Sequence, residues 1–243
     1  MNILKRKHGG EIKIFSHTLE CKAVEQIKLL GDFEAYKDSK IRIMPDYHAG
    51  AGCTIGTTME IKDKVTPNLV GVDIGCGMLC VRLRDKNVNL ELLDETINEK
   101  IPNGKNVRSR SVVEFDFSEL ICKKEVDLDR AMKSIGTLGG GNHFIEVGKN
   151  SRGRLFLTIH SGSRQIGLQV ANYYQNLAWS KMTDTKDQKK KLIERLKREG
   201  REKEIDVEIK KIKKPKIVKE LAYLTGIDFD NYIHDMGIIQ KFA

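Results

Sequence analysis

Asp73 and Cys76 stand three residues apart in Val70-Gly-Val-Asp-Ile-Gly-Cys-Gly-Met78, a carboxylate and a thiol on one tight turn. Such a pair can chelate one ion, and a thiolate sulfur can also bridge two. A hard oxygen beside a soft sulfur admits Mn²⁺, Zn²⁺ or Fe²⁺, so the pair alone names no metal. A structural cysteine beside a turn aspartate is the other reading of the segment. In Leu157-Thr-Ile-His-Ser-Gly-Ser-Arg-Gln-Ile-Gly167 an apolar strand ends at His160, and Arg164 opens a helix. Ser161 or Ser163 can cap that helix, whose N-terminus favours anions, and Arg164 adds a fork suited to phosphate.

Gly136-Thr-Leu-Gly-Gly-Gly-Asn-His-Phe-Ile-Glu-Val-Gly148 joins a glycine run to Asn142, His143 and Glu146. Three glycines before a strand can form a nest of backbone N–H groups for an anion. A strand beginning at Asn142 puts Asn142, Phe144 and Glu146 on one face, with His143 and Ile145 on the other. In Met44-Pro-Asp-Tyr-His-Ala-Gly-Ala-Gly-Cys-Thr-Ile-Gly56, Asp46 and His48 are two apart and face one side of an extended chain. A turn aspartate and a surface histidine explain that pair equally well. Counted from His160 in the last case, these four segments total 43 residues, yet they hold thirteen of the 21 glycines, three of the six histidines and two of the five cysteines. Glycine gathers where a backbone turns sharply or approaches a ligand, so the segments read as one composite site.

The elements that must carry them are legible from periodicity. Strands are expected at 11–16, 41–44, 53–61, 69–74, 78–83, 143–148 and 155–160. Helices are expected at 20–31, 90–100 and 127–134, and a long one from Arg164 to Met182. In that long helix Ala171, Ala178 and Trp179 widen the apolar stripe, which implies burial on more than one side. Residues 103–125 are polar and poorly patterned, and read as a loop or insertion. Residues 184–214 read as a basic arm, with Leu192, Ile193 and Leu196 before Gly200 and Ile205, Ile209 and Ile212 after it, the spacing of a charged helical hairpin. Phe229, Tyr232, Ile233, Met236, Ile239 and Phe242 form a terminal helical stripe, expected to expose an apolar surface and to look cut rather than capped.

Composition narrows the function classes. The 243 residues are 40% hydrophobic and 32% charged, enough for a buried core and too patterned for global disorder. No stretch reaches the ~20 apolar residues of a membrane span, and the N-terminal MNILKRKHGG lacks the apolar core of a signal peptide. Five scattered cysteines make no disulfide framework, so a reducing, cytoplasmic setting is expected. The net charge is +9, and residues 181–216 carry fifteen Lys or Arg against eight Asp or Glu. The rest of the chain is near neutral, so nucleic acid bound by its body would need a few concentrated cations.

Taken in order, MPDYHAGAG, VGVDIGCGM, GTLGGGNHFIEV and HSGSR resemble the RtcB family of RNA-splicing ligases, from about residue 10 to the C-terminus. The resemblance is to a compact bacterial branch, interrupted by the basic arm and by 103–125. It implies an α+β fold, a mixed-sheet core with flanking helices and an inserted charged helical hairpin, with the C-terminal half of the family fold absent. In domain terms, residues 1–243 would be an incomplete catalytic domain with 184–214 inserted. The resemblance further implies a GTP- and Mn²⁺-dependent ligase that joins RNA 3′-phosphate or 2′,3′-cyclic phosphate ends to 5′-hydroxyl ends through guanylylated intermediates, in RNA repair or tRNA splicing.

By position, the resemblance makes Asp73, Cys76, His143 and His160 ligands of two Mn²⁺ ions, with Cys76 bridging. It makes Asn142 a contact to the nucleotide phosphates and Glu146 a reader of guanine. Arg164 falls near the RNA phosphate, Asp46 borders the site, and His48 is a weaker match. The family's nucleophilic histidine lies beyond this length, and His234 is not assigned that role. The chain alone is therefore expected to be inactive, with a C-terminal half in trans as one conceivable partner. A non-catalytic module that binds metal and RNA ends, or one half of a split ligase, are the alternatives.

Overall fold

The computed structural model describes residues 1–71, 73–84, 87–213, 215 and 217–243, and of Asp187 only the backbone. Val72, inside the strand expected at 69–74, and Lys214, the last residue of the basic arm, lie outside the described residues. The chain opens with β1 (Asn2–Lys5), β2 (Glu11–Ile14), α1 (Cys21–Gly31), β3 (Ile41–Ala49), β4 (Thr54–Met59), β5 (Lys64–Val65) and α2 (Pro67–Val70). It continues through β6 (Gly77–Arg82), α3 (Leu90–Lys100), α4 (Leu128–Ser134), β7 (Phe144–Lys149), β8 (Leu155–Ser161) and α5 (Gln165–Thr183). Last come α6 (Lys186–Arg198), α7 (Ile205–Lys211), β9 (Leu224–Thr225) and α8 (Gly226–Phe242). Helices and several sheets are mixed, as an α+β class requires. Among the described residues no helix is long and apolar enough to cross a membrane.

Two compact units divide the chain, residues 1–70 with 174–229 and residues 71–173 with 230–243, and the divisions fall inside α5 and α8. In the first unit the sheet order is β1-β2-β3-β4, parallel only between β2 and β3. That parallel pair needs a crossover, and α1 supplies it. Alternation puts Ile12, Ile14, Ile41 and Ile43 on one sheet face, where Ala23, Ile27 and Leu30 of α1 meet them in a fully packed core. Arg6 donates to the carbonyl of Gly31 at the C-terminal end of α1 (2.8 Å), satisfying an acceptor that the helix end leaves open, and to those of Tyr36 (2.5 Å) and Ser39 (3.0 Å) in the segment that follows. The strand β1, which carries no strong pattern of its own, is held by its antiparallel register with β2.

The second unit carries an antiparallel sheet in the order β6-β8-β7. The strand expected at 69–74 is absent from the described residues there. Residues 67–70 turn into the short α2, and Asp73 to Gly75 make a bend and turn. The glycines that flank Asp73 favour turning over extension, and this outweighs the apolar run.

The region 103–125 is irregular, but it is no disposable insertion. Phe117, Leu120 and Cys122 are buried, and Phe115 and Phe117 pack on Phe242 with ring centroids 5.2 Å away in each case. The terminal stripe is therefore covered. Tyr232 and Ile239 are fully buried, and Ile233 is the exposed member at 38%. Trp179, expected to widen the buried stripe of α5, also stays 38% exposed, with the Lys219 ammonium 5.6 Å from its ring centre.

Asp235 on α8 explains how the irregular segment is held. Its carboxylate is completely buried and accepts from the backbone N–H groups of Ile121 (2.8 Å) and Cys122 (3.0 Å). Burial and this carboxylate together push the Cys122 thiol up. Asp235→Ala strands both N–H groups and should cost about 3 kcal/mol. Urea unfolding measures it, with Asp235→Asn, which keeps one acceptor oxygen, expected to lose less. An alanine variant as stable as the parent would show that the segment is held by its aromatic packing alone.

Candidate metal centre

Pairing of β6 with β8 sets Met78 opposite His160 and Gly77 opposite Ser161. Cys76, two residues before Met78, therefore lies on the His160 side of the sheet. Its Sγ is 2.8 Å from His160 Nε2. His143 approaches from the turn before β7, and its ring centre is 5.4 Å from that of His160. Ligand atoms of Cys76, His143 and His160 all lie within 4.8 Å of one another, close enough to share one ion.

Asp73 is not a member of that close group, but it stands beside it. Partial burial first, and then hydrogen bonding and charge from Asp73, push the Cys76 thiol up. A thiol, two imidazoles and an adjacent carboxylate form a mixed donor set that fits a divalent transition ion.

One backbone carbonyl organises the centre. Leu138 O lies 2.8 Å from His143 Nδ1, and Arg164 Nη1, which can only donate, lies 3.2 Å from the same nitrogen, so Nδ1 is engaged on both sides and Nε2 is the nitrogen left for an ion. Ser161 Oγ donates to the same oxygen at 3.0 Å, and Arg164 Nη1 reaches it at 3.4 Å. Arg164 Nη2 donates to Gly104 O at 2.9 Å. Burial lowers the Arg164 pKa, and the neighbouring Asp73 charge opposes this while Arg130 adds to it. Ser163, expected as a helix cap, instead donates its hydroxyl to Ile74 O. The two serines thus tie the strand end to the turns at 136–141 and 73–76.

Gly139 makes this geometry possible. A Cβ there would fall 1.4 Å from Arg164 Nη1 and 2.6 Å from His143 Nδ1, and its φ of +93° is left-handed. Arg164 itself adopts φ +61°, a strained value for a long side chain and one associated with functional sites.

The remaining expected residues are placed differently. Asn142 lies in an exposed turn, because β7 begins at Phe144 rather than at Asn142. Glu146 is exposed on β7, opposite Thr158, and shares its sheet face with Phe144 and His160. Asp46 and His48 lie on β3 of the other unit, both exposed, with His48 Nδ1 3.1 Å from the Asp46 carbonyl. His234 is exposed, with Nε2 3.1 Å from Glu119 O.

Two further contributors were not among the expected site residues. Leu138 acts through its backbone, which residue type does not reveal. Phe144 presents its edge to His160, ring centres 5.6 Å apart, and strand alternation from His160 through the pairing would have found it.

The sequence model of the family described as "tRNA-splicing ligase RtcB" matches residues 35–128 and 118–243. The chain is 34% identical over 168 residues to the RNA-splicing ligase RtcB of Escherichia coli K12, covering 60% of this chain and 41% of that protein. It is 28% identical over 191 residues to the tRNA-splicing ligase RtcB of Aeropyrum pernix, covering 54% of this chain and 39% of that protein. RNA-splicing ligase RtcB homolog 2 of Entamoeba dispar is 27% identical over 192 residues, covering 55% of this chain and 37% of that protein. The chain thus spans about 40% of the length of these curated relatives. With the family match running through both units and across all four glycine-rich segments, the chain belongs to the RtcB family.

Proposed function

We propose that this chain carries the metal and nucleotide half-site of an RNA ligase that joins 3′-phosphate or 2′,3′-cyclic phosphate ends to 5′-hydroxyl ends, using GTP. The convergence of Cys76, His143 and His160 within 4.8 Å carries the reading, in a chain of this family. Asp73, Cys76, His143 and His160 would hold two Mn²⁺ ions. Bound there, the ions would offset the opposing phosphate charges and align the attacking and leaving groups.

The other residues have separate tasks. Leu138 O and Arg164 Nη1 engage His143 Nδ1 and hold the ring plane, so the ring presents Nε2 without a search through orientations. Arg164 offers a guanidinium fork to an RNA phosphate, released from the carbonyls of Leu138 and Gly104 that hold it in the free chain. Glu146, a carboxylate, can accept from guanine N1–H and N2–H, and Asn142 reaches the nucleotide phosphates from its exposed turn. Asp46 is assigned to the RNA side of the reaction. The relay through guanylylated intermediates follows from the family, and none of the residues named here is its nucleophile. A thiolate ligand suits a reducing compartment such as the cytoplasm, and all five cysteines are unpaired.

Binding discriminates this reading from that of a generic metal site. In Mn²⁺, an oligoribonucleotide ending in a 3′-phosphate should bind about 10-fold more tightly than the same strand with a 3′-hydroxyl, the worth of a charge-assisted contact or two. The preference should vanish in His160→Ala. Equal affinity for both ends in the parent chain would refute the end-joining assignment.

A further inference from the structure

We propose that the α6–α7 hairpin is an RNA-docking arm that grips the phosphate backbone without reading bases. This rests on the reading above that RNA is the substrate, and it adds a contact surface away from the metal centre.

The hairpin is a built element. Leu192, Ile193, Ile205 and Ile209 are partly buried and Leu196 is fully buried, a seam between the two helices. The helix α6 ends where Gly200 takes φ +70°, with Arg201 N donating to Leu196 O (2.9 Å) and Gly200 N to Lys197 O (3.2 Å). That bond pair is the Schellman arrangement, and it sets the turn into the next helix. Arg201 then clamps the corner, holding Glu204 with two bonds (2.7 and 3.0 Å) and Glu199 with a third (3.0 Å).

The charge pairing is uneven. Asp184, Glu199, Glu204 and Glu208 are engaged by Lys186, Arg195, Arg201 and Lys211. Lys190, Lys191 and Lys197 are exposed on α6 and, among the described residues, have no acidic partner. Helical spacing puts them on the side away from the Leu196 seam, with Arg198 beside them. Lys190 and Lys197 are seven residues apart, about 10 Å along the axis. Glu194 stands among them, four residues after Lys190 and three before Lys197, so the ridge of Lys190, Lys191, Lys197 and Arg198 keeps a net positive charge around one exposed carboxylate.

The chemistry selects the partner. Unpaired lysines on a rigid ridge complement a polyanion. Residues 184–214 contain no aromatic side chain on which a base could stack. Such a surface takes up phosphates and releases counterions, with no preference among sequences.

The test uses the full chain and the triple variant Lys190→Gln, Lys191→Gln, Lys197→Gln. The probe is a fluorescent 20-nucleotide RNA with a 5′-phosphate and a 3′-hydroxyl, ends the proposed reaction does not use. Binding is followed by anisotropy across a salt series. Losing three phosphate contacts should lower the slope of log K against log salt by about 2 and weaken low-salt binding at least 10-fold, equally for uridine-rich and adenine-rich strands. A Lys→Arg triple variant should retain both. An unchanged slope overturns the arm proposal, including the case in which the hairpin serves a protein partner. Loss confined to one base composition overturns the backbone-only claim. The preference for 3′-phosphate ends in Mn²⁺ should survive in the triple variant. Its absence from the parent chain would strike the ligase reading and leave the arm's salt dependence standing.

Discussion

Replacing Cys76 by alanine should lower the affinity of the chain for Mn²⁺ by at least about 100-fold, more than outer-sphere changes around metal sites cost. The thiol is one of three donors whose ligand atoms lie within 4.8 Å of one another, and the only sulfur among them. Without it, two imidazoles and the adjacent Asp73 remain, a set that has lost its thiolate charge and holds a divalent ion more weakly. The sign of the pH dependence follows from the same atoms. Partial burial and Asp73 push the free thiol up, so the metal-free cysteine keeps its proton at neutral pH. Metal uptake must displace that proton, and affinity therefore falls as pH falls. Calorimetric titration in two buffers of different ionisation enthalpy reads both effects. The parent should release one more proton per binding event than Cys76→Ala. A variant that binds Mn²⁺ as tightly as the parent would remove Cys76 from the centre.

Gly139→Ala should damage the same centre without touching any ligand. The new methyl would meet Arg164 Nη1 at 1.4 Å and Cζ at 2.3 Å, and His143 Nδ1 at 2.6 Å. The backbone has little room to retreat, because Gly139 O accepts from Gly104 N at 2.7 Å and Gly139 forms an isolated parallel bridge with Asn103. Arg164 and the imidazole must therefore move, and the left-handed φ adds roughly 1–2 kcal/mol of strain. Loss of the Leu138 contact would free the His143 ring, and a 10–100-fold drop in Mn²⁺ affinity is expected. Gly141 supplies the control. It too has a left-handed φ of +73°, yet nothing lies within 4 Å of where its Cβ would be. Gly141→Ala should show the strain in thermal unfolding and leave metal affinity near the parent value. Equal metal affinities for the two variants would mean that close approach at Gly139 is not what positions His143.

Local pattern was sufficient for much of this molecule. The helices α1, α3, α4 and α5 and the strands β2, β3, β6 and β8 sit where apolar periodicity puts them; α1, α5, β2 and β3 bury faces whose spacing is written over a few consecutive residues, whereas α3 and β6 follow the pattern with no buried residue. The clustering of glycine with Asp73, Cys76, His143 and His160 also marked the centre, since tight turns and ligand-type side chains are both visible in composition.

Tertiary structure decided what depends on distant neighbours. Whether 69–74 extends or turns was settled by glycine conformations around Asp73, against its apolar composition. Burial of Phe117, Leu120 and Cys122 has no period to betray it, for their backbone is irregular and Asp235, more than a hundred residues later, satisfies its N–H groups. Asp46, grouped with the others by its glycine-rich setting, lies on β3, in the unit that holds residues 1–70. The Leu138 carbonyl that orients His143 belongs to every residue type alike, so only the folded backbone could single it out.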